Sequence, residues 1–134
     1  MLVGAKVLVD KLDQDLLRLH QISFDEYVVL VALSEHPEGM RIDRLGSVLV
    51  SPTRLPRLVT HLQLAGHVTR DAASGRGSDA WVRITPRGRA VVDRAAPDHV
   101  ASVRTHLIDL VDRDDFLAVA RVFAQVAGVA TPTA

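Results

Sequence analysis

The stretch SPTRLPRLVTHLQLAG, Ser51 to Gly66, constrains the chain more than any other. Leu55, Leu58, Val59 and Leu62 recur at helical spacing, which puts one apolar stripe along a helix and obliges the rest of the chain to cover it. Ser51 is a capping residue type, Pro52 suits a first helical position, and Gly66 suits a helix end. Thr53, Arg54, Arg57, Thr60 and His61 fall outside the stripe, with Arg54, Arg57 and His61 sharing one side. A short helix of this kind carries the groups that read a DNA groove, and the same pattern also suits an ordinary solvated helix. Pro56 is the discordant residue. In a helix interior, proline costs about 3 kcal/mol and can kink the axis, and this one stands between Arg54 and Arg57.

At 134 residues, 48% of them hydrophobic, the chain suits a single domain, 1–134, with a true core. The longest apolar run, Tyr27 to Leu33, is too short to span a bilayer, so no membrane partner is expected. No basic segment leads into an apolar one at the N-terminus, so a signal peptide is not expected and a cytoplasmic location is. The absence of cysteine excludes disulfides, thiolate nucleophiles and cysteine-ligated zinc. A formal net charge of zero hides a division. Between Arg41 and Arg94 stand ten arginines and no lysine against four aspartates, and the remaining segments carry the compensating negative surplus. Arginine's planar fork suits phosphates and guanine edges, so this sorting points towards nucleic acid, although a solvated basic face would look the same.

Leu2 to His20 reads as a helix with Leu8, Leu12, Leu16 and Leu19 near one face. Ser23 followed by Glu26 is a capping-box pattern, and it resolves the β-branched run Tyr27 to Leu33 as a buried helix rather than a strand. Met40 to Ile42 suits a short extended piece, and Arg44 to Val50 suits a short helix packing through Leu45, Val48 and Leu49. With the Ser51 helix this makes a helix-turn-helix. His67 to Arg70 and Ala80 to Ile84 alternate apolar and polar residues around a small-residue loop tipped by Arg76, which predicts a β-hairpin with Trp81 anchoring it to the core. Thr85-Pro86 restarts a helix expected to run to about Leu110 through a kink at Pro97. Its seam is Val92, Ala96, His99, Val103, His106 and Leu110, a spacing that packs along another helix. A last helix follows Asp112 to Asp115 and carries Phe116, Leu117, Val119, Val122, Phe123 and Val126. The fold class is therefore mainly α with a small β-hairpin, a winged helix-turn-helix.

The order of these elements, and the strings ISFDEYVVLVALSEHPEGMRIDRLGSVLV, SPTRLPRLVTHLQLAGHVTR and ITPRGRAVVDRAAPDHV, resemble the MarR family of bacterial transcription regulators. The matching positions are Arg57-Leu58-Val59, Leu62, Gly66, Val68 and Arg70, then Ile84-Thr85 and Gly88. The resemblance implies a DNA-binding part over residues 22–89 and N- and C-terminal dimerisation helices over 1–21 and 90–134. It further implies a homodimer facing adjacent major grooves of a pseudo-palindromic operator. Members of the family usually repress transcription, and many release DNA on binding a small, often aromatic or anionic effector. The wing departs from the family pattern: Ser74 stands where an acidic residue usually orients the tip arginine, and the hairpin is about two residues longer.

Under this resemblance Thr53, Arg54, Arg57, Thr60 and His61 are candidate major-groove and phosphate contacts, and Arg76 is the candidate minor-groove reader. Ser51 is first a cap and second a phosphate contact. His20 and Tyr27 are polar-tipped candidates for the effector region, which the resemblance puts between the first, second and fifth helices. Six histidines raise the question of a metal, but no pair has HExxH-like spacing, and no metal or other cofactor is expected. No nucleophile elbow or phosphate-cradling glycine loop points to an enzyme. The rival reading is a winged helix that recruits proteins after losing specific DNA binding, and Pro56 is its main support.

Overall fold

The computed structural model describes residues 2–49, 51–71 and 80–128. Helix α1 (Leu2–His20) leads into α2 (Phe24–Ser34), then strand β1 (Met40–Arg41) and the single-turn helix α3 (Ile42–Leu45). Helix α4 (Leu55–Leu64), strands β2 (Val68–Asp71) and β3 (Trp81–Ile84), and helices α5 (Pro86–His106) and α6 (Arg113–Ala127) complete the order. The three strands form an antiparallel sheet ordered β1-β3-β2, with Met40 opposite Val82 and Val68 opposite Ile84. The mainly helical winged fold expected from the sequence is therefore present.

Helix α2 is the centre of the core. Ser23 Oγ accepts a hydrogen bond from Glu26 N at 3.0 Å, so the predicted cap forms and starts a helix where β-branching alone would have favoured a strand. Val29, Leu30 and Leu33 are fully buried, and they pack in one cluster with Leu16 of α1, Leu45 of α3, Val59 and Leu62 of α4, Val82 of β3 and Ala95 of α5.

Several boundaries differ from those the sequence suggested. The helix expected at Arg44 to Val50 instead begins at Ile42, whose amide donates to Ala80 O at 3.0 Å, and passes after one turn into a 3-10 turn at Gly46–Val48. Leu45 and Leu49 are buried, but Val48 faces solvent, because the tighter turn rotates it off the stripe. Helix α5 ends at His106, and Ile108–Leu110 forms a separate 3-10 turn, so Leu110 leaves the seam and is exposed. Helix α5 is continuous through Pro97. The hairpin is anchored by Val68, Ala80 and Val82, all buried, whereas Trp81 is only half-buried, since alternation along β3 turns it away from the face that Val82 covers. Gly88 sits so close to His67 O that a side chain there would collide with the backbone. That contact seats the start of α5 against the turn after α4.

Helices α1 and α5 are tied by polar groups as well as by packing. Asp15 accepts from Ser102 Oγ at 2.6 Å, from His106 Nε2 at 3.0 Å and from Arg18 Nη2 at 3.2 Å. His20 Nε2 hydrogen-bonds Asp98 Oδ2 at 2.7 Å, and Asp13 accepts the Phe24 amide at 2.7 Å.

The Ser102 hydroxyl, and after it His106, holds the Asp15 carboxyl below the ordinary carboxylate range. A carboxylate whose folded-state pKa is depressed contributes stability above its unfolded value, and that contribution is lost as pH falls through the folded value. Urea stability should therefore fall between about pH 5 and about pH 3, and part of that fall should be missing in Asp15→Asn. Identical pH slopes for the two proteins would show that Asp15 contributes nothing to it.

Candidate DNA-binding surface

Pro52–Arg54 forms a 3-10 turn, in which Arg54 N donates to Ser51 O at 3.2 Å, and the α-helix proper starts only at Leu55. Ser51 does not cap it by its side chain: its Oγ lies 3.2 Å from Thr53 Oγ1, and the turn satisfies the leading amides through backbone bonds instead. The late start also bears on Pro56, whose expected place on the first or second turn already spares part of an interior proline's cost. Taken as beginning at Pro52, the helix would hold Pro56 in its interior. With Leu55 as its first residue, Pro56 is the second, where a missing N–H removes no intrahelical bond. At the far end, Gly66 adopts φ +78°, its amide bonds Gln63 O at 3.0 Å, and His67 N bonds Leu62 O at 2.9 Å, a Schellman-type stop. Thr85 Oγ1 then donates to Gly66 O at 2.7 Å while accepting from Gly88 N at 3.0 Å, so one hydroxyl joins the end of α4 to the start of α5.

With its ends fixed in this way, α4 turns Leu55, Val59 and Leu62 into the core and leaves Thr53, Arg54, Arg57, Thr60 and His61 exposed. Arg54, Arg57, Thr53 and His61 line one open groove of about 810 Å³. Asp10 and Asp13 of α1, Asp25 and Glu26 of α2, and the apolar Val9, Phe24 and Leu58 line the same groove. Thr60 is absent from the groove, and its hydroxyl donates to Pro56 O at 3.0 Å. His61 Nδ1 stands 3.4 Å from Glu26 Oε1. Burial first, and then the Arg87 charge, pushes the His67 imidazole below its ordinary value, and its buried Nδ1 has no hydrogen-bond partner among the described residues. Arg76 and Ser74 of the wing lie outside the described residues.

The effector candidates are placed differently. His20 is engaged by Asp98, and Tyr27 is buried against His99, with ring centroids 4.6 Å apart. Burial raises the Tyr27 hydroxyl and lowers the His99 imidazole. The gap lined by Asp15, His20, Asp98, His99 and Ser102 leaves no room for a water-sized body. Among the described residues no group of three or more histidine, aspartate or glutamate side chains is placed to hold a metal ion. Two features escaped sequence reasoning. Leu64 ends the outward side of α4 and is 83% exposed, and Glu26 faces His61 across the fold. Leu64 could have been found by carrying the helical period one turn further. Nothing local links Glu26 to His61.

Because Pro56 occupies the first turn, Pro56→Ala should lower stability in urea titration by less than about 1 kcal/mol, the range for a proline whose conformation already fits. A gain approaching 3 kcal/mol would instead mark relief of an interior proline.

No protein-family sequence model matches the chain, and no curated protein does. Solved structures do match. AbsC, a MarR family transcriptional regulator from Streptomyces coelicolor, is 30% identical with a TM-score of 0.79, and the match covers 95% of this chain and 86% of that one. Sco3205, a MarR family transcriptional regulator from the same organism solved in complex with DNA, is 28% identical with a TM-score of 0.82, covering 94% and 80%. The Mycobacterium tuberculosis MarR family protein Rv2887, solved in complex with salicylic acid, is 25% identical with a TM-score of 0.68, covering 92% and 90%. The likeness runs through α1 and α6 as well as the winged helix, at an identity that carries family and not fold alone: the chain belongs to the MarR family of transcriptional regulators.

Proposed function

We propose that the protein is a homodimeric, DNA-binding transcriptional repressor that reads duplex DNA with α4. The observation that carries this reading is the exposed Arg57 and Thr60 on α4, with exposed Thr53 and Arg54 in the turn leading into it, while the opposite side of that helix is fully packed. A rigid, buried-backed helix can bring arginine forks to base edges and phosphates at little ordering cost. The DNA-bound state of the Sco3205 structure supports the same reading. His61 serves at the edge of this surface, Ser51 lies at its leading end, and Arg76 is the proposed minor-groove reader. The protein-recruiting alternative loses its main support once Pro56 lies in the first turn of the helix.

Dimerisation follows from α6. Of its apolar side chains only Ala124 is buried, while Val119, Val122, Phe123 and Val126 are each more than half exposed. An amphipathic helix with its greasy side open requires a cover, and a second copy supplies one together with the exposed Val3 and Val7 of α1. Residues 1–21 and 90–134 thus act as dimerisation helices around a DNA-binding part at 22–89. No helix among the described residues is long and apolar enough to cross a membrane, and a cytoplasmic location is part of this proposal.

The small effector in this reading is anionic or aromatic, in keeping with the salicylic acid bound to Rv2887. A ligand reaching His20 and Tyr27 must displace Asp98 and His99, so its binding shifts α5 against α1 and α2.

Operator binding is testable by fluorescence anisotropy with duplexes from the DNA flanking the gene. Arg57→Ala should weaken specific binding by about 1–3 kcal/mol, roughly five- to 150-fold, and salt should weaken it further. Unchanged affinity, or binding indifferent to salt, would sink the assignment. Phe123→Asp should convert the dimer to a monomer in light scattering, and an unaltered mass would place the dimer contact elsewhere.

A further inference from the structure

We propose that Glu26 is a positioning residue for the recognition helix, and that through His61 it makes operator affinity depend on pH. The inference rests on the DNA-binding reading above. Glu26 is well placed for such a task. Its amide is held by Ser23 Oγ at the start of α2, so its backbone cannot drift from the core helix. Its side chain is only 13% exposed, and its carboxylate reaches across to His61 Nδ1 on α4 at 3.4 Å. The usual capping-box partner for such a glutamate is its own cap residue's amide. Here the carboxylate is directed to the neighbouring helix instead.

The contact is an ion pair only while His61 is protonated, so its strength falls as pH rises. Asp10 and Asp13 of α1 and Asp25 and Glu26 of α2 face the groove, with Arg54 and Arg57 beside His61 on α4 itself. His67, in the turn after α4, feels the charges of both Glu26 and His61, and those of Arg87 and Arg94 on α5. Protonated His61 offsets Glu26 and clamps α4 to α2. Neutral His61 leaves the Glu26 carboxylate uncompensated beside the arginines that approach phosphate, and removes the clamp. Both effects have the same sign. Operator binding weakens as pH rises.

Duplex anisotropy should show wild-type affinity falling roughly two- to fivefold from about pH 6 to about pH 8, the size of a half-exposed ion pair. In Glu26→Gln the affinity should vary less with pH, and His61→Gln should show the same flattening, which excludes the other histidines as its source. Wild-type affinity that does not change with pH, or a Glu26→Gln profile that overlays the wild type, overturns the proposal. Hydrogen exchange without DNA separates this idea from the reading it rests on. Amides of Val59 to Leu62 should exchange faster in Glu26→Gln than in wild type at about pH 6, with the difference shrinking at about pH 8. That exchange difference with no operator binding by any protein would refute the DNA-binding reading and keep the positioning role. Equal exchange would refute the positioning role.

Discussion

The burial of α2 is the interaction on which the rest of the structure depends. Val29, Leu30 and Leu33 lose all contact with water, and each such side chain contributes about 1.5–3 kcal/mol on transfer from solvent. Their neighbours come from α1, α3, α4, α5 and the sheet, so this helix is where the separate pieces become one core. A helix buried on nearly every side has little use for amphipathic patterning, and Tyr27 to Leu33 is accordingly an unbroken apolar run. Its start depends on one hydroxyl, that of Ser23.

From that centre, two kinds of connection run outward. Towards the wing, apolar packing fixes α4 while backbone turns settle its ends. The 3-10 turn before Leu55 and the left-handed Gly66 after it decide which residues point away from the core. Towards the termini, the Asp15 carboxylate of α1 holds α5 through Ser102 and His106, and Asp98 of α5 holds His20. His99 packs at a tilt against Tyr27 of the same central helix, which in turn packs in one cluster with the back of α4. This is a packed path between the proposed effector residues and the proposed DNA surface, with a ring contact at one end and aliphatic contacts at the other.

Much of this was legible beforehand because it is written in local chemistry. The Ser23 and Thr85 caps, the Gly66 stop and the apolar stripe of Leu55, Val59 and Leu62 each depend on residues a few positions apart, and all appear as expected. The weaker expectations failed where two local rules competed. Ser51-Pro52 looks like a cap followed by a first helical residue, yet Pro56 four residues later satisfies the same rule for a start at Leu55, and the later start prevails. Val48 and Leu110 fit α-helical stripes that 3-10 turns disrupt, because the change from 3.6 to three residues per turn moves a side chain off its face.

By itself, the sequence determined the elements, their order, the core stripe of α4 and the residue types available to meet DNA. The physical reason is that caps, turns and helical periodicity act over one or two turns of chain. Only the tertiary structure decided what those residues meet. It joined Glu26 to His61 and Asp15 to Ser102 and His106, and it brought carboxylates of α1 and α2 into one groove with Arg54 and Arg57. Charges far apart in the chain interact only once packing has brought them within a few ångströms, and no periodicity records which ones will meet. The recognition helix is therefore recognisable from Ser51 to Gly66 alone, while its electrostatic setting belongs to the fold.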